Sequence, residues 1–127
     1  MKPRGFIALM SAIIISGVLL MVAAAGSLAG FYTRSNVVDT ELKERSVAAA
    51  DACADQALVG LAVDQNYAGN EARALNSLDV CKISAVTTSG TLKKFTVQAT
   101  SSAMAVTNLQ ITYSTTTQSV LSWLEVP

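Results

Sequence analysis

The chain has 127 residues, 51% of them hydrophobic, and its 9 lysines and arginines are balanced by 9 aspartates and glutamates. Zero net charge gives no electrostatic case for nucleic acid or another polyanion as a partner. Histidine is absent and no Gly-x-Ser-x-Gly occurs, so the commonest general base, the commonest transition-metal ligand and a hydrolase elbow are all missing; the expectation is a protein that associates rather than catalyses, with no cofactor or metal.

In chain order, Lys2 and Arg4 precede a run without a charged residue from Gly5 to Thr33. That run exceeds the roughly 20 residues needed to cross a bilayer core as a helix. A transmembrane helix is predicted over residues 6–33. Its short basic end belongs in the cytoplasm and the rest of the chain outside it, since Asp39 and Glu41 follow soon after Arg34. A secretory signal peptide is the alternative: Ala23, Ala24 and Ala25 before Gly26 offer a small-residue cleavage site, which would release a small secreted domain. Against it, the apolar stretch 6–22 is longer than a usual signal core, and helical patterning continues past the cut.

Residues 34–64 carry Val38, Leu42, Ala49, Cys53, Ala57 and Leu61 at helical spacing, interleaved with Asp39, Glu41, Lys43, Glu44, Arg45, Asp51 and Asp55. They read as an amphipathic helix continuing the first, giving one helix about 60 residues and about 90 Å long. Gly26 and Gly30 at the joint fit two readings. Each costs a helix about 1 kcal/mol relative to alanine, which favours a bend, and their small-xxx-small spacing suits close helix packing in a membrane. Export would place Cys53 and Cys81, 28 positions apart, in an oxidising compartment. There a disulfide is the natural reading, worth about 3–4 kcal/mol in the chain-entropy model.

Residues 65–79, polar and interrupted by Gly69, read as a connecting loop with a short helical turn at 71–75. They fail as a calcium loop, because Ala68 and Leu75 stand where ligands are needed. Residues 80–127 read as strands. Phe95, Val97 and Ala99, then Leu109, Ile111 and Tyr113, alternate with polar residues, and Val120, Leu121, Trp123 and Leu124 close the chain. A four-stranded antiparallel meander is predicted, with a Ser/Thr-rich outer face and an apolar face covered by Leu42, Ala49, Ala50, Ala57, Leu58 and Leu61. Trp123 is expected in the core or an interface. Lys93 and Lys94 are expected to keep an exposed or edge strand from pairing with strangers. The fold class is α+β: a long N-terminal helix on a small antiparallel sheet.

A short basic leader ending in Gly5, then Phe6, then an apolar helix running into an amphipathic one, a loop and a small sheet resembles a precursor of the type IV pilins and type II secretion pseudopilins. The motif likeness covers residues 3–33 and the architectural likeness the whole chain. It implies that a prepilin peptidase cuts the leader 1–5 between Gly5 and Phe6 and methylates Phe6. It also implies that the subunit waits in membrane lipid, and that other pilin or pseudopilin subunits are its partners in a surface filament, helix against helix at Gly17, Gly26 and Gly30. Most major pilins carry a glutamate four residues after the phenylalanine, where it neutralises the next subunit's amino terminus. Met10 stands there in this chain, so the resemblance implies a minor, tip-type subunit. An uncleaved single-span surface domain shares the bulk features. The mature N-terminus separates the readings: methylated Phe6, intact Met1, or Gly26.

Overall fold

A computed structural model describes residues 4–127; the leader residues 1–3, Lys2 among them, lie outside the described residues. One helix, α1, spans Arg4–Val63, followed by β1 (Gly69–Ala74), β2 (Asp79–Ala85), β3 (Thr87–Ser89), β4 (Leu92–Ser101), β5 (Ala105–Ser114) and β6 (Ser119–Val126). Two compact units divide at Val38/Asp39. The first is helical throughout its described residues; the second, here called the head, holds the rest of α1 and the sheet.

No proline interrupts the chain between Pro3 and Pro127, and α1 is continuous through Gly26 and Gly30, so the glycines do not break the helix. Its end is built locally. The Asp64 amide still donates to the Gly60 carbonyl at 2.8 Å, after which the Asp64 carboxylate accepts from the Asn66 amide at 2.8 Å, an Asx turn that diverts the backbone.

Inside the head, α1 buries Ser46, Ala49, Ala50, Cys53, Ala54, Ala57 and Leu61, a stripe at steps of three and four. All but Leu61 are small, so the helix axis can approach the sheet closely. The facing sheet surface presents Cys81, Ile83, Phe95, Val97, Ala99, Leu109, Ile111 and Tyr113, alternate residues of their strands. Leu42 and Leu58 of the predicted cover are only half-buried, and Val38 is exposed.

The sheet has six strands rather than four. Its order is β1-β2-β4-β5-β6, all antiparallel, with β3 also paired to β4. The predicted loop 65–79 contains β1 in place of the helical turn at 71–75. Its charged residues hid it: Glu71 and Arg73 pair with Ile83 and Cys81, while Ala72 pairs with Lys82, so a polar edge strand alternates without a hydrophobic signal. β3 resumes the line of β2 after an interruption at Val86, whose amide bonds to Ala68 at 2.9 Å. The meander order is therefore kept with one rung split.

Two further expectations are corrected. β6 is an edge strand with Val120, Leu121, Trp123 and Leu124 all exposed, so of the two places expected for Trp123 the core is the one overturned. Lys93 and Lys94 sit on a strand paired on both sides, opposite Thr88 and Thr87 of β3 and Tyr113 and Thr112 of β5. They guard no free edge, and the Lys93 ammonium donates to Thr88 Oγ1 at 2.9 Å.

Candidate membrane-spanning and assembly segment

The first unit buries almost nothing within the chain. From Gly5 to Val38 every residue is exposed except Gly17, which is intermediate. Phe6, Ile14, Leu20 and Phe31 are all more than 60% exposed. Water is a poor environment for so much apolar surface, and the helix is long and apolar enough to cross a membrane.

The serines and the threonine of the uncharged run are satisfied without water. Ser11 Oγ donates to the Ile7 carbonyl at 2.9 Å, Ser16 Oγ to Ala12 at 2.8 Å, Ser27 Oγ to Ala24 at 2.8 Å and Thr33 Oγ1 to Ala29 at 3.0 Å. Every serine and threonine hydroxyl in the apolar run thus folds back onto the preceding turn, which lowers its cost in hydrocarbon. The composition carried this signal, since hydroxyls are the only polar side chains there, but the sequence reading left it unused.

The predicted site residues lie on two faces of this helix. At 100° per residue, Met10 and Gly17 differ by about 20° and Phe6 is close by, while Gly26 and Gly30 are about 40° apart on the far side from Gly17. A Cβ added at Gly5, Gly17, Gly26 or Gly30 would meet no atom within 4 Å. The glycines are therefore open notches, on opposite faces, that no described residue fills. Phe31 and Tyr32 touch edge to face at 6.3 Å near the polar end of the run.

In the head, the other predicted pair is brought together: Cys53 on α1 and Cys81 on β2 are disulfide-bonded, with Cα atoms 6.6 Å apart. Two ion pairs flank the helix. On one side Lys43 Nζ donates to Glu125 Oε1 of β6 at 2.6 Å and to Thr107 Oγ1 of β5 at 2.9 Å. On the other, Arg45 Nε donates to Asp79 Oδ2 at 2.9 Å. Asp79 is buried and also accepts from Ser101 Oγ at 2.7 Å and Asn76 Nδ2 at 2.6 Å. The Ser101 and Asn76 hydrogen bonds, with Arg45, hold its carboxyl below the usual range against the opposing effect of burial. The sequence places Lys43 and Arg45 only among the charges of the amphipathic helix; the strands that pair with them are set by tertiary position.

A second polar contact closes the loop between α1 and β1. Tyr67 donates its hydroxyl to Glu71, which also holds Arg73 at 2.8 Å. Burial first, then the Glu71 contact, push the Tyr67 hydroxyl up to about 12. The same hydrogen bond and Arg73 lower Glu71. Beside β6 an open groove of about 460 Å³ is lined by Asp55, Leu58, Val59, Ala62, Tyr113, Gln118 and Val120. Its titratable groups are the Asp55 carboxylate and the Tyr113 hydroxyl. Among the described residues, no three His, Cys, Asp or Glu side chains gather as metal ligands.

Comparison with protein-family models, with characterised proteins and with solved structures gives no match to this chain.

Proposed function

We propose that the protein is a minor pilin-like or pseudopilin subunit, inserted in a membrane through residues 6–33 and assembled by helix packing into a surface filament or its tip complex. The observation that carries the reading is the exposed apolar helix of the first unit, with its inward-turned hydroxyls and its unfilled glycine notches. Such a helix needs a non-aqueous surrounding, and either lipid or a bundle of like helices supplies one. Exchange of lipid for protein gains little hydrophobic energy, so close approach at Gly17, Gly26 and Gly30 supplies the specificity. A disulfide-closed head suits the oxidising side of the membrane.

On this reading prepilin peptidase removes residues 1–5 and methylates Phe6, and Met10 in place of a glutamate suits a subunit at or near the tip, where no further amino terminus needs neutralising. Mass spectrometry of the native polypeptide is the test. A mature chain beginning at methylated Phe6 is expected. An intact Met1 would make the protein a plain single-span anchor, and a start at Gly26 would remove the span and the proposal with it.

A further inference from the structure

The head carries opposite charges on opposite sides. On the sheet, the surface turned away from α1 includes Lys82, Ser84, Lys94, Thr96, Gln98 and Asn108, and no carboxylate stands on it. Glu71, Asp79 and Glu125 all sit at the opposite parity of their strands, opposite Ile83, Ser101 and Leu109. Lys82 and Lys94 have no ion-pair partner among the described residues, whereas Lys43, Arg45 and Arg73 are all paired.

The helix shows the reverse. Glu41, Glu44, Asp51 and Asp55 fall within an arc of about 80° at 100° per residue, pointing away from the buried stripe 46–61. None of the four has an ion-pair partner among the described residues. They form two like-charged pairs, at i,i+3 and i,i+4, each of which is unfavourable until a cation approaches.

The spacings agree. Midpoints of the two carboxylate pairs are about 16 Å apart along the helix at 1.5 Å per residue. Lys82 stands opposite Gln98, four residues along β4 from Lys94; at about 3.3 Å per residue and about 4.8 Å between strands, the two lysines are about 14 Å apart. One lysine can thus meet each acidic pair in a single docking.

We infer that the outer sheet face of one head, through Lys82 and Lys94, docks the outward acidic stripe Glu41, Glu44, Asp51 and Asp55 of a second copy of this chain. This deepens the proposed assembly and rests on it. Because donor and acceptor surfaces lie on opposite sides of the head, the contact is head-to-tail and does not close on a pair, which leaves one acidic stripe and one lysine pair of two docked copies for neighbouring subunits. Exposed ion pairs are individually weak. Their contribution is register and choice of partner, with strong dependence on salt.

The test uses the full chain in uncharged detergent micelles, isotopically light and heavy copies mixed, coupled with a carbodiimide that joins lysines to carboxylates in direct contact. Light-to-heavy coupling of Lys82 or Lys94 to the 41–55 carboxylates is expected, falling about tenfold in Lys82→Glu/Lys94→Glu, in Glu44→Lys/Asp55→Lys, or at high salt. Mixing the two charge-reversed variants should restore coupling between the exchanged positions. Retained protease resistance of the oxidised head would show that the variants fold. Three results overturn the inference: coupling that ignores both reversals, no coupling between copies, or a lysine reversal that alters only adsorption to anionic vesicles. Failure of the proposed function is read separately, from the mature N-terminus; copies that begin at Phe6 and associate through the apolar helix without these cross-links would refute the head contact alone.

Discussion

The two stretches of α1 share a secondary structure and differ in what small residues do on their surfaces. In the head, Ala49, Ala50, Cys53, Ala54 and Ala57 are buried because a sheet of the same chain fills the shallow surface they create. In the first unit, Gly17, Gly26 and Gly30 create equally shallow places with nothing within 4 Å. A run of small side chains therefore marks a place for close approach, and whether the partner belongs to the same chain must be read from elsewhere.

If that contrast is right, substitutions in the head should unfold it and equivalent ones in the first unit should leave it untouched. The largest effect is expected from Phe95→Ala, a fully buried side chain facing the helix; about 3–5 kcal/mol should be lost in denaturant unfolding of the oxidised head. Cys53→Ser with Cys81→Ser should cost about 3–4 kcal/mol, and wild-type protein should lose a like amount on reduction. In the first unit, Leu20→Arg should leave the head's unfolding midpoint unchanged while costing membrane insertion about 3 kcal/mol, measured as the fraction of chains spanning the bilayer.

Acid and base limbs sharpen the comparison further, since every shifted group among the described residues lies in the head. Asp79 and Glu71 titrate below their ordinary values. Their stabilisation is present above the unfolded carboxylate range near pH 4 and is lost as pH falls through the depressed values. Tyr67 is raised to about 12, so its contribution is complete below about pH 10 and disappears between about 10 and 12. Asp79→Asn should flatten the acid limb and Tyr67→Phe the alkaline one in pH-dependent unfolding. The smallest expected change is that of Gly17→Ala on the head, within about 0.5 kcal/mol.

Much of this plan was legible from residue order. The uncharged run, the helical spacing after it and the alternation of Phe95, Val97 and Ala99 each reflect one dominant environment, and each named its element correctly. β1 was not legible, because Glu71 and Arg73 satisfy one another and Tyr67 on a polar edge, a contact that depends on tertiary position. Trp123 misled for a related reason: alternation assigns a residue to a face, but only the width of the covering helix decides whether that face is sheltered at the last strand. The ion pairs of Lys43 and Arg45 required knowing that β6 and β2 flank the helix, which no local pattern states.

The bond between Lys43 and Glu125 joins positions 82 apart in sequence, near the two ends of the head. β6 is the edge strand beside β5, so the clasp joins the helix to the strand of the head that comes last in chain order. Closing so long a loop is slow, so the hairpins between neighbouring strands form before the helix is clasped to β6.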